Sequence, residues 1–146
     1  MAWLKAYARE NQEHEDLIRV CLSQEQARGM IEQICGAHGY KPPLICFPTD
    51  GRQSFYQPRT LRKAECISIL PGMMNVLTVI HEVGHLLHNH DYRYRRMKAV
   101  GTYQVRRFPR EKAHGPVFRA TVNRLAAEFR ATRTAPVAQL DRASAF

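Results

Sequence analysis

Thr78-Val79-Ile80-His81-Glu82-Val83-Gly84-His85-Leu86-Leu87 is the stretch on which the reading of this chain turns. Its centre, HEVGH, matches the pattern H-E-x-x-H. Residues four apart lie on one face of a helix, so the two imidazoles can grip one metal ion while Glu82 projects beside them toward a polarised water. The flanks carry no charge, as a helix buried in a small domain requires. At about 100° per residue, Met73, Val76, Leu77, Ile80, Val83, Gly84 and Leu87 form a broad apolar stripe beside the histidines. That stripe can pack on a sheet while the ligands face a cleft. Gly84 is poor in a helix interior, by about 1 kcal/mol relative to Ala, and implies close approach of a neighbouring helix. The competing reading, a core helix with two satisfied histidines and a surface glutamate, is weakened by these flanks.

The rest of the chain sets bounds on what such a helix could serve. Its 146 residues suggest one domain with a modest core and no need of disulfide staples. The first fifteen residues lack the apolar run of a signal peptide, and no stretch approaches a membrane span, so the expectation is a soluble, cytoplasmic protein with no membrane partner. Cys21, Cys35, Cys46 and Cys66 are spread without a C-x-x-C, which argues against a disulfide framework or zinc ribbon and predicts buried thiols. The net charge of +9 is concentrated after the motif, at Arg93, Arg95, Arg96, Lys98, Arg106, Arg107, Arg110, Lys112 and Arg119. With Tyr92, Tyr94, Tyr103 and Phe108 interleaved, the stretch 93–119 is a candidate DNA-binding surface, or else a solvated basic loop.

Spacing along the chain predicts an α+β arrangement. Residues 1–22 read as a helical N-terminal extension, with Trp3, Leu4 and Tyr7 as apolar contacts. Ser23 and Gln26 fit a capping box that opens a helix carrying Ala27, Met30, Ile31 and Ile34. Three short strands follow, at Leu44–Phe47, Ser54–Arg59 and Glu65–Leu70, expected to form a mainly antiparallel sheet packed on the motif helix. Pro71-Gly72 breaks the chain before that helix, and after His90 its pattern dissolves into the basic stretch. Order resumes at Gly115-Pro116, where Val117, Phe118, Thr121, Val122, Leu125 and Phe129 give a closing helix. The main domain is thus 23–130, with 131–146 expected to be a flexible tail. Within that tail, residues 135–143 are similar to the peptide obtained when a transfer-RNA gene is translated, a hint of a phage or mobile-element insertion point.

A catalytic zinc takes three protein ligands, so the pentapeptide needs a third. His88 shares the helical face but sits two turns from His81. Asp91 would need a glycine where His88 stands, to turn the chain back. Glu128 flanks the closing stripe. His114, directly before Gly115-Pro116, is the strongest candidate, because a packed helix terminus could present its ring to the ion.

HEVGH followed by His114-Gly115-Pro116-Val117-Phe118 resembles the SprT-like family of zinc metallopeptidases, which includes Spartan-type proteases acting on DNA-protein crosslinks. The resemblance implies a small zincin-like domain and an H-G-P-x-F histidine as third ligand. It assigns His81, His85 and His114 to Zn2+, Glu82 as the catalytic base, and a protein or peptide as substrate. The cysteine-rich ribbon of many relatives is missing, and the gap between the motifs is long. Locally, HEVGHLLH (His81 to His88) is also similar to the ImmA/IrrE family of repressor-cleaving peptidases, but Arg119 and Thr121 stand where that family has an acid. A basic nucleic-acid binder with a structural zinc is the non-catalytic alternative. For the peptidase, Tyr94 or Tyr103 is expected to steady the oxyanion, and Glu65–Leu70 to align an extended substrate.

Overall fold

In a computed structural model, which describes residues 2–99 and 113–133, the chain is α+β. The order is α1 (Ala2–Glu13), α2 (Glu15–Ile18), α3 (Gln24–Ala37), β1 (Leu44–Cys46), β2 (Phe55–Gln57), β3 (Cys66–Ser68), a 3-10 turn (Pro71–Met73), α4 (Val76–Ala99) and α5 (Pro116–Arg133). The capping box forms as the sequence predicts. Ser23 Oγ accepts from the Gln26 N–H at 3.1 Å while Gln26 Oε1 accepts from the Ser23 N–H at 2.9 Å. Two orphan donors of the first turn are thereby satisfied, and Ala27, Met30, Ile31, Ile34 and Cys35 are turned inward.

The helix α4 is the axis of the core. Asn75 caps it, its Oδ1 accepting from the Thr78 N–H at 2.9 Å. From Val76 to Gly84 every residue is buried, and the helix packs against α2, α3, α5 and β2. Met73 is the exception in the expected stripe, lying outside the helix in the 3-10 turn and 40% exposed. The segment before α3 is tied to the start of α4 by bonds from the Leu22 N–H to the Met74 carbonyl and from the Val76 N–H to the Val20 carbonyl.

Two expectations about the elements are corrected. The sheet is mixed rather than mainly antiparallel, in the order β1-β3-β2, with β1 and β3 parallel and β2 and β3 antiparallel. Since β2 reverses the chain and β3 reverses it again, β3 inserted between them must run along β1 and against β2. The second correction is at α4, which continues past His90 to Ala99. From Arg93 to Lys98 it loses the apolar stripe and stands exposed, but Arg, Met and Lys are favourable helix residues.

The thiols are also less hidden than expected. Cys35 is buried, Cys66 is half-buried, and Cys21 and Cys46 are exposed. Successive strand residues face opposite sides, so Cys46 and Cys66 share the outer face of the sheet, their sulfurs 3.6 Å apart, while Ile45 and Ile67 turn inward. Among the described residues no helix is long and apolar enough to cross a membrane.

Candidate metal centre

His81 and His85 project from one face of α4, and the neighbour implied by Gly84 is α5. A Cβ at Gly84 would lie 3.1 Å from Val122 Cγ2 and 3.2 Å from Phe118 Cε2. The bare backbone therefore lets Phe118 slide beneath the histidines. Its ring stacks on His85 at 4.2 Å between centroids and meets His81 at 5.1 Å and His114 at 5.3 Å edge to face. One aromatic ring thus packs against all three imidazoles and fixes their planes. His114 stands in the turn before Pro116, and the Arg119 N–H bonds the carbonyl of buried Gly115 at 3.0 Å to start α5 behind it.

The three rings converge. His85 Nε2 lies 3.1 Å from His81 Nε2 and 3.1 Å from His114 Nε2, and the three ligand atoms all fall within 4.8 Å of one another. A tetrahedral ion with bonds of about 2.05 Å would hold such nitrogens about 3.4 Å apart. An imidazole nitrogen has a single in-plane direction for a proton or a lone pair, so His85 Nε2 cannot make good hydrogen bonds to both partners. An electron-pair acceptor at the common centre satisfies all three at once. His81, His85 and His114 are therefore positioned to hold a metal ion.

Two residues that the sequence reading did not single out for the site complete it, both from α1. Glu10 Oε1 lies 2.6 Å from His81 Nδ1, with the Glu10 side chain only 11% exposed. The carboxylate draws the imidazole proton to Nδ1 and leaves the Nε2 lone pair aimed at the centre. Tyr7, three positions earlier on the same helical face, stacks on His81 at 4.8 Å and lies 5.3 Å from His114. Burial, with the charges of Glu82 and Glu10, pushes the Tyr7 phenol up to about 12. Burial also pushes His85 down to about 3, helped by His81, His114 and His88, and it lowers His114. Both rings are kept neutral, the form in which imidazole binds a cation.

Glu82 is no surface residue. It is 4% exposed, and burial pushes its carboxyl up to about 7; Glu10 acts in the same direction, against the charge of His81 and a bond from the Tyr56 backbone N–H. That bond brings β2 alongside the site. The cleft between them, about 240 Å³, is lined by Gln53 to Tyr56 on one side and Tyr7, Glu82 and His85 on the other.

The remaining candidates lie elsewhere. Asp91 accepts from the Tyr40 hydroxyl at 2.8 Å, and exposed Glu128 stands 4.0 Å from Arg124. His88 is buried, its ring 6.3 Å from that of Phe118, but it is not among the converging three. Tyr94 is 51% exposed under the Lys98 ammonium and does not line the cleft, while Tyr103 falls outside the described residues. β3 is paired on both sides, so the expected substrate edge at Glu65–Leu70 is not an edge; β2 is the outer strand beside the cleft. Of the basic stretch, Arg93, Arg95, Arg96 and Lys98 are exposed on α4, and Arg119 is half-buried on α5. Arg106, Arg107, Arg110 and Lys112 fall outside the described residues. No protein-family model, curated protein or solved structure matches the chain.

Proposed function

We propose that the chain is a zinc-dependent metallopeptidase of the SprT-like type, with a zincin-like site hydrolysing peptide bonds. The observation that carries the reading is the convergence of His81, His85 and His114 beside the buried carboxylate of Glu82. Three imidazoles suit zinc, which when bound polarises a water and a peptide carbonyl. Glu82, buried beside the three imidazoles, accepts the proton of the attacking water on its carboxylate and passes it to the leaving amine. Tyr7 lines the cleft with Ser54 and Tyr56, and its phenol, which stays protonated, is suited to give a hydrogen bond to the carbonyl oxygen as that oxygen gains charge. The outer edge of β2 aligns the substrate by strand addition, with the peptide extended between Gln53–Tyr56 and the site. Exposed Arg95, Arg96 and Lys98 support extending the reading to proteins bound on DNA.

Glu82→Gln tests the proposal. Zinc content, measured by atomic absorption, should stay at the wild-type level, while casein hydrolysis falls by about 100-fold or more. A structural zinc site predicts no change in anything measured. A Glu82→Gln protein that cleaves at the wild-type rate would end the proposal.

A further inference from the structure

The cleft is not symmetric about the site. On the side of His81 and Glu82 it opens into a cavity of about 350 Å³ that reaches back between α1, α2 and the 3-10 turn. Ile18, Met73 and Leu77 give this cavity an apolar face, while the carboxylates of Glu10 and Glu82 stand in its wall. On the side of His85 lies a smaller recess of about 270 Å³, lined by Tyr56, His88 and Tyr92. The central cleft shares Tyr7, Gln53, Ser54 and Glu82 with the first cavity and Tyr56 and His85 with the second, so the three are one groove along β2.

Resting on the peptidase reading above, we infer that the larger cavity is the specificity pocket, taking a long apolar side chain such as leucine, methionine or phenylalanine from the residue on one side of the cleaved bond. An extended peptide crossing Glu82 alternates its side chains, and the one turned toward the Ile18–Met73–Leu77 face meets a space large enough for any natural residue. Size is therefore not what this pocket selects; the lining is. Ile18, Met73 and Leu77 reward removal of apolar surface from water. Glu10, its side chain 11% exposed, acts through a medium that screens poorly and repels an acidic side chain. Arg52 is also at the pocket but exposed, where water screens it, so it does not offset the Glu10 carboxylate. Tyr7 and Ser54 link this pocket to the cleft, which places the selected residue next to the bond that Glu82 serves.

The test maps cleavage sites. Zinc-loaded full-length protein is given denatured casein, and the products are sequenced by mass spectrometry. Leucine, methionine and phenylalanine should be enriched about tenfold or more at one flank of the cleaved bond, with aspartate and glutamate depleted there. Met73→Glu, a change at an exposed turn, should abolish the enrichment. As a second reading that needs no turnover, Glu82→Gln protein loaded with zinc is titrated calorimetrically with a hexapeptide carrying one central leucine and with its all-alanine counterpart. The leucine peptide should bind about tenfold tighter, and Met73→Glu in the same background should erase the difference. Cleavage with no preference at either flank overturns the pocket and leaves the peptidase standing. Selective leucine binding without any cleavage overturns the peptidase and leaves the pocket. Equal binding of the two peptides overturns the pocket whatever the turnover.

Discussion

Glu10 decides which nitrogen of His81 is available. With Oε1 2.6 Å from Nδ1, the carboxylate holds the ring's proton at Nδ1 and leaves Nε2 bare toward His85 and His114. Partners of this kind set both the tautomer and the basicity of a ligand. Glu10→Ala should lower zinc affinity by about 10- to 100-fold, read by competition with a chromophoric chelator. An unchanged affinity would show that the Phe118 platform alone orients His81. The same small volume makes the metal-free protein sensitive to pH in a way that can be signed. His85 falls from 6.5 to about 3, so between those values the unfolded chain holds a proton that the folded one does not, and stability rises with pH. His114, lowered in the same sense, adds to that rise below 6.5. Glu82 rises from 4.5 to about 7, so there the folded chain holds the extra proton and stability falls with pH. The metal-free chain should therefore gain stability as pH rises from 3 to 4.5, gain more slowly to 6.5, where Glu82 offsets His85 and His114 alone is left to act, and lose a little toward 7. Urea midpoints across that range check it; a steady climb through neutrality would mean that Glu82 is ionised in the fold.

Between elements, the contact that matters most is α4 against α5 at Gly84. An alanine there gains about 1 kcal/mol of helix propensity, but its Cβ meets Val122 and Phe118 closer than ordinary contact. Neither neighbour is free to move: both are buried, and Phe118 is stacked on His85. Overpacking of this kind costs about 1–3 kcal/mol, so Gly84→Ala should lower Tm by a few degrees and weaken zinc binding by tilting His85. A rise in Tm would show that the two helices can part without cost. Gly84 was legible as a close approach because an isolated glycine in an apolar helix has few other uses. The Ser23–Gln26 box was legible for a similar reason, since both its bonds span three residues. The place of β3 in the sheet was not, because strand order depends on pairings between distant segments that alternation alone cannot rank. The last turns of α4 were missed because a helix that buries nothing leaves no apolar period to read. His114 came with its Gly-Pro start to a helix, whereas Glu10 reaches His81 across 71 positions and left only the three-residue spacing from Tyr7 as a trace.

At the scale of the whole molecule, the first helix belongs to the site, although the sequence reads it as an extension. Just after α1, His14 is buried and gives Nε2–H to Asn123 Oδ1 at 2.8 Å, while its Nδ1 accepts from Arg130 at 3.0 Å. Arg130 also grips both oxygens of Asp16, at 2.9 and 2.7 Å, which holds the Asp16 carboxyl down near 2. That ion pair is exposed and worth little alone, but the buried histidine between the two helices fixes their register. The N-terminal helices and α5 are thereby fastened together, and α1 is laid so that Glu10 and Tyr7 reach the candidate metal site that α4 and α5 build. A chain lacking residues 1–13 should still fold, since the buried cluster runs from Leu17 through α3, the sheet, α4 and α5. It should nonetheless bind zinc about 10- to 100-fold more weakly, having lost the carboxylate behind His81, and should hydrolyse casein poorly even at saturating zinc, having lost the Tyr7 phenol beside the cleft. Circular dichroism, chelator competition and a casein assay on the shortened chain separate these effects. A shortened chain that folds, binds zinc and cleaves like the full one would return α1 to the status of an extension.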